Sequence, residues 1–247
     1  MRKGRIAQSH LAKTSSKIGK ANTDLMDLLR RDAWFGSLPL PLVEIILRQS
    51  TMRDFPDGAR IYAVGDAPDG LYGIASGSVR MMHYTPTGDY SIYYVNQSPV
   101  WFGELSEFDG EPRIQDVTAN GAVSLLHLPH HAFQRIISNE PRYCFEFARL
   151  MAWHVRAVFQ TLAQVNTLPV ANRVAQTLLR MRNVSASPGK ENDAVRLSQD
   201  ALAAIIGASR QTINKLVRRW EKDNIVKIGY RKISIIDRAA LNRVATG

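Results

Sequence analysis

Seven residues, Cys144, Ala148, Met151, Val155, Val158, Leu162 and Val165, recur at intervals of 4, 3, 4, 3, 4 and 3. Only an α-helix brings positions spaced this way onto one stripe, and a stripe held over three heptads is a helix-pairing seam. No Gly or Pro interrupts residues 142–168, so the spacing predicts one long helix over about 141–165. The chain ahead of it is long enough to build its own core. The stripe is therefore expected to pair with its copy in a homodimer, through Ala148, Met151, Val155, Val158, Leu162 and Val165. Packing on its own domain is the alternative.

The texture on either side of the helix differs. From Thr51 to about His127, short stretches rich in β-branched and aromatic residues ("ARIYAV", "LYGIASGSVRMMHYT", "YSIYYVN", "VSLLHLP") alternate with "SGS", "TPTGD" and "FDGEP". Gly, Pro and Asp supply the backbone conformations that tight turns need. Many short strands at this spacing predict an antiparallel sandwich or jelly roll. Before it, residues 24–49 carry helical patterning. Pro39 and Pro41 open the second helix there, because a first turn has no use for the missing N–H. After the seam come "LPVANRVAQTLLRMRN", a further amphipathic helix, and "VSASPGKEND", a polar loop. "VRLSQDALAAIIG" reads as a short helix and "IVKIGYRKISIID" as two short strands. The fold class is α+β. Residues 1–23 read as a disordered basic tail, 24–139 as the β domain, 140–167 as the pairing helix and 168–247 as a C-terminal domain.

Charge separates these parts. The 247 residues carry a formal net charge of +10. Residues 1–23 hold six Lys/Arg and no acid. Residues 24–167 hold 11 Lys/Arg against 16 Asp/Glu, and residues 168–247 hold 15 against six. An acidic middle and a basic C-terminal block suggest different partners, and a basic block favours a polyanion: nucleic acid first, an anionic membrane surface second. No apolar run approaches the roughly 18 residues of a membrane helix, and no apolar segment follows the basic N-terminus as in a secretory signal. A cytoplasmic protein without a membrane partner is expected. The single cysteine, Cys144, excludes an intrachain disulfide and a four-cysteine iron–sulfur cluster within one chain. In the seam it reads as a small buried hydrophobe. No nucleophile–base constellation, P-loop or metal-ligand spacing points to an enzyme.

"IIGASRQTINKLVRRWEKDN" is the most telling stretch of the basic block. Gly207 ends one helix and Ser209 caps the next. Ser198 caps the preceding helix, with Asp200 in its first turn. Two helices joined this tightly form a helix-turn-helix, whose second helix enters the major groove with its N-terminal residues at the base edges. Arg210, Gln211, Asn214 and Lys215 stand there, and Arg, Lys, Asn and Gln pair with purine edges. Ile213, Leu216, Val217 and Trp220 form the opposite, apolar face. Ser198, Ser209 and Thr212 are expected at phosphates, as are Arg231 and Lys232 at the tip of a two-stranded wing.

With these pieces in order, the chain resembles the Crp/Fnr transcription regulators over residues 25–245. "GASRQTINKLVRRWEKDNIV", "RVAQTLL" and "FGELSEFDGEPR" carry the resemblance most specifically. It implies an N-terminal β-roll of the cyclic-nucleotide-binding type, a long dimer helix and a C-terminal winged helix-turn-helix. The implied function is a homodimeric regulator bound to palindromic double-stranded DNA, with RNA polymerase as a further partner. The other reading is an effector-sensing module acting through a protein partner, with degenerate DNA binding.

The resemblance also implies an effector site in a loop containing Gly103, Glu104, Leu105 and Arg113. There Glu104 would accept from a ribose hydroxyl and Arg113 would pair with the cyclic phosphate of cAMP or cGMP. Taken alone, Glu104 and Arg113 around a turn read as a surface ion pair. Ile114 replaces a phosphate-contacting serine, and Val158 and Phe159 replace the Thr-Ser pair that meets the adenine in the best-known cAMP receptor. No cysteine cluster supports the iron–sulfur branch. His127, His130 and His131, clustered in "HLPHH", read as capping or solvated rather than as haem ligands, and His83 and His154 lie elsewhere. Gln211 stands where the familiar recognition helix has Glu, so the half-site need not be TGTGA.

Overall fold

The computed structural model of the chain describes residues 25–84, 90–97, 99–185, 194–195, 197–230 and 232–246. The basic tail, the "TPTGD" turn, most of the "VSASPGKEND" loop and Arg231 lie outside the described residues.

A helical segment at 25–29 is followed by α1 (Ala33–Ser37) and α2 (Leu40–Gln49). Asp32 caps α1 by accepting from Phe35 N, and Pro39 caps α2 with Pro41 in its first turn. Two four-stranded antiparallel sheets come next. One is ordered β1 (Thr51–Phe55), β8 (Val123–Pro129), β3 (Gly70–Ser76), β6 (Trp101–Phe102). The other is β2 (Arg60–Tyr62), β7 (Asp116–Ala119), β4 (Ser78–Tyr84), β5 (Tyr90–Gln97).

Alternation along the central strands explains why they sit inside. In β3, Tyr72 and Ile74 join Val117, Phe102 and Leu125 in a core between the sheets, while Leu71 faces the other way. In β8, Val123 and Leu125 face inward and Leu126 and Leu128 outward. A strand covered on both faces must be apolar on both. The outer cover is an aromatic layer in which Trp34 meets Trp101 edge-on and Phe35 stacks on Trp101. Gly73 makes room for it, since a Cβ there would meet the Trp101 ring at 2.7 Å.

Three helices in and beyond the sandwich come without a matching expectation. α3 (Glu104–Asp109) occupies what reads as a loop. α4 (His130–Asn139) begins at the histidine pair. The terminal helix α9 (Arg238–Thr246) packs on α6 (Val170–Ser185). The long helix α5 runs from Tyr143 to Thr167. Its Tyr143, Phe147 and Leu150 enter the aromatic layer, and Trp34 Nε1 donates to Glu146 O at 2.6 Å.

The C-terminal part has its own core. Val174 and Leu178 of α6 meet Leu202 and Ile206 of α7 (Gln199–Ile206) and Ile213, Val217 and Trp220 of α8 (Arg210–Lys222). A three-stranded sheet, ordered β10 (Val226–Gly229), β11 (Lys232–Ile235), β9 (Ala194–Val195), closes it. β9 is too short for its alternation to be legible in the sequence. Met82 of β4 packs against this core.

Candidate functional site

Local chemistry sets the geometry of the helix-turn-helix. Ser198 Oγ accepts from Ala201 N and Ser209 Oγ from Thr212 N, each at 3.1 Å. These bonds satisfy N–H groups that a helix start leaves without partners. Gly207 sits in the left-handed region at φ 67° and ends α7, a conformation in which a Cβ would be strained. Arg173, the first residue of "RVAQTLL", donates from Nη1 to Ile206 O at 2.8 Å and covers the same helix end.

α8 buries Ile213, Val217 and Trp220 and exposes Arg210, Gln211, Thr212 and Lys215. Arg210 Nε lies 3.0 Å from Asp200 Oδ1, an exposed pair. Such pairs are worth about 1 kcal/mol or less, so release of Arg210 costs little. Asn214 has side-chain partners within the domain. Its amide is half-buried, donating to Gln199 Oε1 at 2.7 Å and accepting from Arg218 Nε at 3.1 Å. The bond to Gln199 braces α7 against α8. Arg218, absent from the expected set, is exposed on the same face as Gln211 and Lys215. Its signal was the helical spacing from Gln211 and Lys215. The wing is β10–β11, anchored by Ile228 N donating to Glu221 Oε1 at 2.8 Å. Lys232 and Tyr230 are exposed near its tip.

The second candidate site lies in the roll, and its geometry differs from the expectation of a surface ion pair. Glu104 and Arg113 are both buried and do not bond each other. Arg113 is 3% exposed. Its Nη1 donates to Gly103 O at 2.6 Å; its Nη2 donates to Gly70 O at 2.7 Å and Asp69 Oδ1 at 2.8 Å. Glu107 Oε1 is 3.5 Å away, and the Tyr62 ring centroid 4.6 Å. Nε is buried with no hydrogen-bond partner. A buried guanidinium needs such carbonyls and carboxylates, because an unpaired charge in an apolar interior is costly. Gly103, at φ 95°, stands so close that a Cβ would lie 3.2 Å from Arg113 Nη1.

The carboxylates around Arg113 extend the network. Glu107 accepts from Gly70 N at 2.8 Å and bonds His130 Nδ1 at 2.7 Å. Tyr72 Oη donates to Asp69, and burial raises its pKa. His127 is almost fully buried, with Nε2 3.0 Å from Asp69 O, which corrects its reading as capping or solvated. Burial, helped by the Arg53 charge, holds the His127 pKa below its ordinary value. Glu104 Oε1 is bonded to His154 Nδ1 of α5 at 2.6 Å. Burial pushes the His154 pKa down, but the Glu104 bond and charge, with Asp32, outweigh it and leave it raised. Leu105 and Ile114 are exposed.

Past His154, the apolar side chains of α5 are no longer covered by the roll. The expected seam is then uncovered: Val155, Val158, Leu162 and Val165 are exposed, Val158 at 58%, and Phe159 beside them at 64%. Ala148 and Met151, nearer the roll, are half-buried.

Two family models match the chain: "Cyclic nucleotide-binding domain" over residues 52–140 and "Crp-like helix-turn-helix domain" over residues 172–244. A CRP-like cAMP-activated global transcriptional regulator of Mycobacterium tuberculosis is 28% identical over 223 residues, which cover 89% of this chain and 99% of that protein. The fold is also that of the c-di-GMP responsive global regulator CLP of Xanthomonas campestris, with TM-score 0.66, 18% identity, and coverage of 81% of this chain and 100% of that one. A Crp/Fnr-family regulator of Thermus thermophilus matches with TM-score 0.67, 24% identity, and coverage of 80% and 99%. These relatives are named as transcription regulators, not as enzymes. Among the described residues no helix is long and apolar enough to cross a membrane. With a cyclic-nucleotide-binding roll joined to a Crp-like helix-turn-helix along almost the whole length of such a regulator, the chain belongs to the Crp/Fnr family of transcriptional regulators.

Proposed function

We propose that the chain acts as a homodimer that reads palindromic DNA through the exposed face of α8. The observation that carries this is the division of that helix: Ile213, Val217 and Trp220 are buried, while Arg210, Gln211 and Lys215 stand on the exposed side. A helix held this way offers purine-pairing side chains to a groove. Ser198, Ser209, Thr212 and Lys232 have the chemistry of phosphate contacts, and backbone contacts of this kind would fix the register. In the dimer, α5 would pair along Ala148, Met151, Val155, Val158, Leu162 and Val165. Half-site centres would then lie about one helical turn, roughly 34 Å, apart. The working division is roll 24–139, dimer helix 140–167 and DNA-binding domain 168–247. RNA polymerase would be the partner through which transcription responds.

Selection from a random duplex library, followed by binding at several salt concentrations, tests the reading. An enriched palindrome and a steep fall of affinity with salt are expected, because phosphate contacts release counterions. Binding with a flat salt dependence would favour a regulator acting through a protein partner instead.

A second reading assigns the roll a cyclic nucleotide, and the observation favouring it is the buried Arg113 cation with Nε unpaired, inside the region matching the nucleotide-binding model. Glu104 is engaged by His154, so a ribose hydroxyl would have to share or displace that bond. Val158 and Phe159 bring no hydrogen bonds to a base. Calorimetry with cAMP and cGMP tests it: heat lost in Arg113→Ala supports a nucleotide sensor, and no heat in the native protein overturns it.

A further inference from the structure

We infer that Arg218 is a further DNA-reading residue and that Gln199 and Asn214 are the positioning residues that aim it. The inference deepens the major-groove reading above and rests on it. Two independent observations carry it. The first is periodicity: Gln211, Lys215, Arg218 and Lys222 follow one another at intervals of four, three and four, and all are exposed. Ile213, Val217 and Trp220, buried against the domain, fall on the opposite side of the same helix. Arg218 therefore stands on the stripe that contains Gln211 and Lys215, about two turns beyond Gln211.

The second observation is a directional hydrogen-bond relay. Arg218 Nε donates to Asn214 Oδ1 at 3.1 Å, and Asn214 Nδ2 donates to Gln199 Oε1 at 2.7 Å. Direction follows from chemistry. A guanidinium has no acceptor, so the amide oxygen of Asn214 must face Arg218. The amide nitrogen is then turned to Gln199, which must present its oxygen. Each link fixes the next, from the N-terminus of α7 to the second turn of α8. Gln199 and Asn214 are half-buried and Arg218 is exposed, so the relay has an anchored end and a free one.

With Nε held, the two Nη groups of Arg218 remain as an outward fork. That fork matches O6 and N7 of guanine. A long side chain loses rotamer freedom when it binds, and a guanidinium already aimed loses less. Gln199 thus acts on base preference without touching a base.

Library selection with the full-length protein tests the relay, comparing the native chain with Gln199→Ala, Asn214→Ala, Arg218→Ala and Gln199→Glu, each checked for an unchanged thermal midpoint. The native protein is expected to enrich guanine at one position per half-site beyond those set by Arg210, Gln211 and Lys215. Arg218→Ala should remove that preference, a loss of roughly tenfold or more against the wrong base. Gln199→Ala and Asn214→Ala should weaken the preference at that same position and no other. Gln199→Glu keeps an acceptor for Asn214 and should restore it. An Arg218→Ala protein that weakens on all sequences equally, with its preferences intact, would make Arg218 a phosphate contact and overturn the inference. Unchanged preferences in Gln199→Ala would overturn the relay alone. Failure of the native protein to enrich any sequence would overturn the groove reading itself.

Discussion

At the scale of single residues, Arg113 shows how a short motif hides its partners. The guanidinium neutralises Asp69 and lies beside the buried Glu107, while Gly103 and Gly70 give it their carbonyls. Arg113→Met keeps the length but removes the cation beside the buried Glu107 and leaves both carbonyls without their guanidinium donor. Breaking one side of a buried pair costs about 3–5 kcal/mol, so the denaturation midpoint of this variant should drop accordingly; a midpoint near native would mean water replaces the guanidinium. His154 gives a prediction in pH. Its folded pKa is raised above the ordinary imidazole value, so the His154–Glu104 bond contributes fully below that ordinary value. The contribution is lost as pH rises through the raised value. The thermal midpoint of the native protein minus that of His154→Asn should therefore be larger at pH 6 than at pH 8, and a difference independent of pH would refute the link. The stretch "FGELSEFDGEPR" made Glu104 and Arg113 visible as functional types. It could not show that Asp69 and His154, 44 and 50 residues away, would claim them, because contacts of that separation leave no period in the sequence.

At the scale of elements, what was legible is what local rules decide. Ser198 and Ser209 cap and Gly207 turns because each acts on neighbours within three or four residues. The α5 helix and its apolar stripe were legible for the same reason. The bond of Asn214 to Gln199 was not legible, because that partner lies on a different helix 15 residues earlier. α3 was missed because two glycines in left-handed conformations, at 103 and 110, bound a helix of six residues, too short for a period to register. Gly207 carries the prediction at this scale. A Cβ there would meet nothing within 4 Å, so only the backbone conformation resists substitution. Asn tolerates the left-handed region better than Ala does. Gly207→Ala should cost about 1 kcal/mol and Gly207→Asn less. Equal losses, or a larger loss for Asn, would mean that bulk rather than conformation matters at this turn.

At the scale of the whole molecule, α5 lies between the roll and the helix-turn-helix domain, and its two ends are held differently. The first turns are locked to the roll by Tyr143, Phe147 and Leu150. His154 adds a further tie, through Glu104. Beyond it the apolar stripe of Val155, Val158, Leu162 and Val165 is open. Exposed apolar area on this scale favours association, at about 25 cal/mol for each Å² removed from water, and a second α5 is the surface with matching period. Pairing would then fix the distance between two copies of α8, so dimerisation and operator recognition become one property. The prediction is Val158→Glu with Leu162→Glu. Both positions are exposed, so the monomer should keep its fold and its thermal midpoint. Sedimentation should show a single chain in place of a dimer. Linking two recognition helices makes the second half-site contact intramolecular, with a gain of roughly 10²–10⁴ in apparent affinity. The double variant should lose about that factor on a palindrome and very little on an isolated half-site. A variant that stays dimeric would place the interface elsewhere, and a monomer that binds the palindrome with native affinity would separate dimerisation from recognition.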